Sequence, residues 1–191
     1  MRSGSSIAWG RLLVGLTVLG LCASLSGQPG AAEKDKKGVP AMKITSTAFE
    51  EGATIPKPHT GDGKNVSPSL KWNGALPETK SFALVCDDPD APGGTWNHWL
   101  LWDVPAAAHS LAEGFKPGQT GVSGTNDFGR QGYGGPCPPK GKGAHRYFFK
   151  LFALNVASLG LKAGAKRGEL DRVLKGRVVG EAEYVGRYER K

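Results

Sequence analysis

The chain has 191 residues, a length that suits one globular domain. It contains 29 glycines and 13 prolines, and 39% of its residues are hydrophobic; this combination favours short strands joined by turns over a helical or disordered chain. The net charge of +8 favours anionic partners. The basic residues are scattered, with no stacking aromatic side chains interleaved among them, and this pattern argues against nucleic-acid binding.

The first 32 residues have the order of segments that is typical of a secretory signal peptide. Two arginines precede an apolar run at 12–25, and small residues follow it. The run is shorter than the ~20 apolar residues that a membrane-spanning helix needs. We therefore predict cleavage after Ser26 or Ala32 and export to the periplasm or the medium, rather than a membrane anchor.

Beyond the signal peptide, the sequence divides into a charged leader at 33–41 and a β-rich domain at 42–191. Cleavage would leave Cys86 and Cys137 as the cysteines of the mature chain, in an oxidising compartment. Two cysteines make no disulfide framework. The sequence therefore leaves open whether they form one bridge or remain two thiols.

The densest group of polar side chains lies between two apolar runs with strand composition, at 81–86 and 99–104. The segment between them, D-D-P-D-A-P-G-G-T-W-N-H-W at 87–99, crowds two turns, three carboxylates and a histidine together. Aspartates beside prolines cap such turns by accepting hydrogen bonds from backbone amides. We expect a loop at the end of a sheet, with three candidate site residues: Asp88, Asp90 and His98.

A second dense loop, G-Y-G-G-P-C-P-P-K-G-K-G-A-H-R-Y, occupies residues 132–147. The strand that follows alternates so that His145 and Tyr147 point to the same face. Glycine-rich loops can present free backbone amides to an anion. Two such loops in one small domain indicate a binding site, although Tyr147 would also suit a core position with a wet hydroxyl.

The other predicted elements frame these two loops. Residues 42–49 alternate like a half-buried strand, and residues 167–175 have the spacing of a short amphipathic helix. Residues 178–188 alternate like a final strand with one wet face. His59 is a lone histidine among turn residues, and we expect it at the surface.

The two motifs together resemble those of the phosphatidylethanolamine-binding protein family, in its bacterial Raf kinase inhibitor-like branch. The matching segments are D-P-D-A-P followed by a histidine before an apolar strand, and G-P-C-P-P-K-G-K-G-A-H-R-Y-F-F-K-L-F-A-L. The resemblance extends from about residue 44 to residue 190. It implies a mainly β fold, with a large antiparallel sheet packed on a smaller sheet and one short helix near the C-terminus.

The resemblance also implies which residues line an anion pocket. Cys137 stands where the family pattern has glycine or alanine, so its larger side chain would either narrow the pocket or pair with Cys86. Asp87 is an additional acid beside the first motif, with no role in that pattern. The residues carried over from the family are Asp88, Asp90, Pro92, His98, Gly135, Cys137, His145 and Tyr147.

These features predict a binding protein for phosphate or a phospholipid headgroup, acting on its own or as an inhibitor or scaffold of another protein. The resemblance favours a homodimer, and we expect no cofactor and no metal. One alternative is a hydrolase in which His98 or His145 acts with Asp88 as the orienting carboxylate. A second is a metal site built from Asp88, Asp90, His98 and His145, although their spacing matches no strong metal motif.

The two aspartates of the first motif raise an electrostatic question. Free carboxylates at Asp88 and Asp90 would repel an anion. The conflict disappears if they accept hydrogen bonds from turn amides or hold a histidine and raise its pKa. On this basis we expect anion binding to strengthen as the pH falls through the histidine range.

Overall fold

The computed structural model describes residues 41–191, so the predicted signal peptide and nearly all of the charged leader lie outside the described residues. These residues form eight strands and one α-helix. No helix among them is both long and apolar enough to span a bilayer. The elements are β1 (Lys43–Thr45), β2 (Leu70–Asn73), β3 (Ser81–Asp88), β4 (Trp96–Pro105), β5 (Ser110–Leu111), β6 (Val122–Ser123), β7 (His145–Leu154), α1 (Arg167–Leu174) and β8 (Val178–Tyr188).

The strands form two antiparallel sheets. The larger has five strands in the order β6-β4-β3-β7-β8, and the smaller has three in the order β1-β2-β5. One apolar cluster fills the space between the sheets, with Trp72 from the small sheet packed edge-on against Phe82 from the large one, their ring centroids 5.4 Å apart. A second cluster lies on the opposite face of the large sheet, where Leu170 and Leu174 of α1 are buried. The predicted mainly β architecture is confirmed.

Strand β3 is the centre of the large sheet. It pairs with β4 on one side and β7 on the other, and all eight of its residues are buried. Such a strand needs apolar side chains on both faces, as the run S-F-A-L-V-C provides. Asp87 and Asp88, which the sequence placed in the following loop, are instead the last two residues of the strand.

Three further expectations need correction. The first strand ends at Thr45 rather than continuing to Phe49, because Ser46 and Thr47 contact Ser69 through their hydroxyl groups instead of through backbone pairing. β4 begins at Trp96, so His98 lies inside a strand rather than at its mouth. His59 is buried, 5% exposed, with its Nδ1 3.0 Å from the carbonyl oxygen of Val66.

The outer edge of β8 is covered by an earlier segment of the chain. The amides of Gly52 and Ile55 donate hydrogen bonds to the carbonyls of Val185 and Arg187, at 2.8 and 2.7 Å, and the amide of Arg187 donates to Ala53 at 2.9 Å. Gly186 makes this contact possible. A Cβ atom there would lie 2.5 Å from Cγ1 of Ile55.

Gly186→Ala tests this packing. The added methyl would overlap both Ile55 and Phe49, and overpacking of a buried site costs about 1–3 kcal/mol of unfolding free energy. Gly180→Ala is the matched control in the same strand, because its nearest contact would be an ordinary 3.7 Å to Ala153 Cβ. Urea denaturation of both variants measures the difference, and equal stability would contradict the packing argument.

Candidate functional site

A cavity of about 270 Å³ lies where the two dense loops meet the end of the large sheet. It contains five of the eight residues predicted for the site: Asp88, Pro92, His98, Cys137 and His145. The rest of its wall is apolar, formed by Ala91, Trp96, Phe128, Pro138 and Pro139. The cavity therefore combines one carboxylate and two histidines with hydrophobic surroundings.

Asp88 and His145 form the polar base of the cavity. The Nδ1 atom of His145 lies 2.8 Å from Oδ2 of Asp88, and both side chains are almost fully buried, at 5% and 4% exposed. The other oxygen of Asp88 accepts the backbone amide of Asp90 at 2.9 Å. Nδ1 of His145 therefore carries a proton toward the carboxylate, and Nε2 has no hydrogen-bond partner among the described residues.

His98 reaches the same cavity through a β-bulge. Cys86 pairs with Trp99 whereas Asp87 pairs with Asn97, so β4 has one extra residue opposite β3 at His98. A bulge of this kind changes the face to which a side chain points. Without it, the alternation of the strand would direct His98 away from Trp99 and out of the cavity.

The loop before β7 holds the His98 ring in place. Nδ1 of His98 donates to the carbonyl oxygen of Gly134 at 2.6 Å, and the Gly134 amide donates back to the His98 carbonyl at 2.8 Å. The ring also packs edge-on against Tyr147 and Phe128, with centroids 5.1 and 5.2 Å away. Burial lowers the pKa of His98, an effect that the Gly134 carbonyl and the nearby carboxylates, Asp88 first among them, partly oppose.

Asp90 is directed away from the cavity. Its carboxylate accepts the backbone amide, Nε and Nη2 of Arg146, at 2.9, 2.8 and 2.6 Å. These hydrogen bonds lower the pKa of Asp90 to about 2. Asp90 therefore joins the first loop to β7, and the cavity wall does not include it.

Tyr147 and Gly135 lie behind the cavity wall rather than on it. The Tyr147 hydroxyl is sealed from solvent and has no hydrogen-bond partner among residues 41–191. Burial, followed by the charge of Asp88, raises the pKa of this hydroxyl. Gly135 donates its amide to Asn65 Oδ1 at 2.6 Å, and a Cβ there would lie 2.7 Å from the carbonyl oxygen of His59, so only glycine fits at this position.

Both cysteines of the described chain are free thiols. Cys86 is buried in β3, whereas Cys137 is exposed and lines the cavity. Of the two states that the sequence left open, the structure shows the unbridged one. Cys137 lies in the cavity wall, and its effect on the size of the pocket stays a prediction.

Several residues of the site were not recognised from the sequence. Phe128 comes from the long irregular connection before the second loop and forms an edge-on pair with Trp96, with ring centroids 5.5 Å apart. Arg146 is the middle residue of the H-R-Y segment, and nothing in the neighbouring sequence indicates its ion pair with Asp90. Asp87, for which the family pattern suggests no role, forms an ion pair with Arg167 and accepts a hydrogen bond from Asn97 Nδ2 at 3.1 Å.

The geometry also bears on the metal alternative. Within residues 41–191, no group of three or more histidine, cysteine or acidic side chains is arranged to hold a metal ion. Of the four proposed ligands, Asp90 is engaged by Arg146 and does not line the cavity. The hydrolase alternative needs a carboxylate that orients the histidine. Asp88 holds Nδ1 of His145 in this way, whereas Nδ1 of His98 is held by the backbone carbonyl of Gly134.

Comparison with known proteins supplies the evolutionary context. The family model described as phosphatidylethanolamine-binding protein matches residues 45–189. A UPF0098 protein of Aquifex aeolicus is 49% identical over 152 residues, which cover 78% of this chain and 89% of that one. LppC of Mycobacterium tuberculosis, whose name marks it as a candidate lipoprotein, is 40% identical over 148 residues, covering 78% of this chain and 72% of its own.

Among solved structures, Escherichia coli YbcL matches with a TM-score of 0.74 and 36% identity, covering 78% of this chain and 99% of YbcL. That protein is described as a member of the mammalian PEBP family. The family match, the identity to these relatives and the common fold agree with one another, and the chain belongs to the phosphatidylethanolamine-binding protein family.

Proposed function

We propose that the 270 Å³ cavity binds a small phosphate-bearing anion, either free phosphate or the headgroup of a phospholipid. The observation that carries this proposal is the pair of buried histidines. His98 and His145 each direct Nδ1 to a fixed acceptor in the protein. Each leaves Nε2 without a partner among the described residues, on a cavity that both side chains line.

The carboxylates near the cavity do not oppose this function. Asp90 is neutralised by Arg146. Asp88 has one oxygen on a backbone amide and the other on His145. A carboxylate held in this way fixes the orientation of its histidine partner and leaves Nε2 free for a ligand. A bound phosphate would then accept charge-assisted hydrogen bonds, which are stronger than neutral ones.

A larger cavity on the opposite face of the sheet is less suited to an anion. Its volume is about 590 Å³, and its wall includes Asp87, Arg146 and Arg167. Each arginine already has a carboxylate partner: Asp87 and Asp171 for Arg167, and Asp90 for Arg146. An incoming anion would have to compete with these internal partners, whereas the histidine nitrogens of the smaller cavity have none among the described residues.

We also propose that the protein functions outside the cytoplasm. The support is the order of basic, apolar and small segments in residues 1–32, together with the relative that is named as a candidate lipoprotein. Anionic headgroups and free phosphate esters are both reachable from such a location. The phosphate group common to these ligands is the feature that the histidine pair would recognise.

Replacement of His145 tests the proposed site. We expect His145→Ala to weaken binding of inorganic phosphate by about ten- to hundredfold, because hydrogen bonds to charged groups contribute about 1.5–3 kcal/mol. Isothermal titration calorimetry measures the change, and circular dichroism checks the fold. His109→Ala removes an exposed histidine elsewhere in the chain and is the matched control. Equal affinities for the two variants would refute the site.

The pH dependence of binding provides a second test. Burial lowers the pKa of His98, so its ring is neutral in the free protein at pH 7, and an anion binds better when it is protonated. Affinity should therefore rise as the pH falls from about 8 to about 5. The probe should be a phosphodiester headgroup, because a phosphate monoester itself titrates near pH 6.

His98→Gln serves as the control for this titration, because it retains a polar side chain that cannot take up a proton. The pH dependence should be smaller in this variant than in the native protein. Native protein that binds the diester with the same affinity across the whole range would contradict the role given to the histidines.

A further inference from the structure

The anion cavity carries a thiol that the proposed function does not use. Cys137 is exposed and free, and it lines the same wall as Pro138 and His145. Its position is set by Gly61, whose amide donates to the carbonyl of Pro136 at 2.8 Å. A Cβ at Gly61 would lie 3.2 Å from Sγ of Cys137, so the glycine lets the loop place this sulfur close against residue 61.

The cavity beside this thiol holds unpartnered hydrogen-bonding groups. His98 and His145 are 2% and 4% exposed, and their Nε2 atoms have no protein partner within residues 41–191. Arg190 lies close to Cys137, but it is ion-paired with Asp62 at 2.9 Å, so the free donors beside the thiol are the two histidine nitrogens. A nucleophilic side chain therefore lies on the same cavity as two hydrogen-bond donors that can receive an anionic group, so a disulfide reagent with a carboxylate can be held beside it.

We infer that Cys137 is a site of thiol–disulfide exchange with small disulfides that carry a carboxylate. The Cys137 thiolate attacks one sulfur of the reagent, a new S–S bond forms to Sγ, and the reagent's own S–S bond breaks. The other half leaves as a thiolate and takes a proton from water. Cys137 is oxidised to a mixed disulfide as one half of the reagent is reduced to a thiol.

The adduct would bring its carboxylate to the histidine pair. A short flexible tether gives an effective concentration in the millimolar range, so the tethered carboxylate competes with free phosphate for the same nitrogens. The inference rests on the proposed function in this respect. The predicted export would supply the oxidant, because disulfides persist in compartments outside the cytoplasm.

Cys86 offers an internal comparison for this chemistry. It is 1% exposed in β3, and burial, followed by the charges of Asp87 and Asp88, raises the pKa of its thiol. A buried thiol of this kind is inert in the folded protein and reacts once the chain is unfolded. Modification of Cys137 alone is therefore the expected pattern for the native state.

The experiment uses the full chain with Cys22→Ser, so that Cys86 and Cys137 are its only thiols. The protein is reacted with dithiodipropionate, which is anionic, and in parallel with cystamine, which is cationic. Each rate is divided by the rate of the same reagent with the chain unfolded in urea, which removes differences in intrinsic reactivity. Mass spectrometry of peptides locates the adduct, and calorimetry measures inorganic phosphate binding to the reduced protein and to each adduct.

We expect the normalised rate at Cys137 to be about tenfold higher for the anionic disulfide at low salt, with the preference falling as salt is added. The anionic adduct should bind phosphate about tenfold more weakly than the reduced protein. The cationic adduct should show a smaller loss of phosphate affinity relative to the reduced protein. In Cys137→Ser, treatment with either reagent should leave the affinity of that variant as it was before treatment.

No preference for the anionic reagent, or reaction at Cys86 instead of Cys137, would overturn the inference. So would an anionic adduct that binds phosphate as well as the reduced protein does. Reduced protein that binds no phosphate would instead refute the proposed function, and the rate comparison would still decide whether Cys137 selects anionic disulfides.

Discussion

The end of strand β3 imposes the constraint on which the rest of the site depends. Two consecutive aspartates lie in a strand that is buried on both faces, so alternation sends their carboxylates to opposite sides of the sheet. An unpaired buried charge is costly, and each carboxylate needs a partner. Asp87 is paired with Arg167 at the start of α1, and Asp88 is paired with His145 at the start of β7. The positions of the helix and of the cavity are both tied to these pairings.

This division gives the two sides of the sheet different characters. On one side, arginine and carboxylate neutralise each other beside the helix, and the result is a structural ion pair. On the other side, the partner is a histidine, whose second nitrogen remains available after the first is engaged. The same acidic dipeptide thus stabilises the fold through Asp87 and, through Asp88, orients a histidine that lines the cavity.

Much of this arrangement could be predicted from the sequence. The all-apolar run of β3 and the alternation of β7 are strong local signals, and they placed His145 and Tyr147 on one face as the structure has them. The helix at 167–175 was predicted to within one residue of its observed end at Leu174. These features depend on periodicity, which is a local property of the chain.

The features that were missed depend on contacts between distant segments. The bulge at His98 is a property of the pairing between β3 and β4, and one strand alone does not reveal it. The pairing of Asp90 with Arg146 joins residues 56 positions apart, so the carboxylate that the motif suggested for the pocket is used elsewhere. Phe128 lies in an irregular segment, where no hydrophobic periodicity predicts the direction of its side chain. His59 was misplaced because its burial comes from the loops folded over it.

The segment that covers β8 has a consequence for behaviour in solution. An uncovered edge strand exposes a row of unpaired amides and carbonyls to which strands of other molecules can add. Here residues 52–55 occupy part of that edge, and the opposite edge is the two-residue strand β6. The end of β8 near Val185 and Arg187 is therefore paired, and the opposite edge strand is too short to offer a long ladder, so both features reduce the strand-to-strand association by which β proteins aggregate.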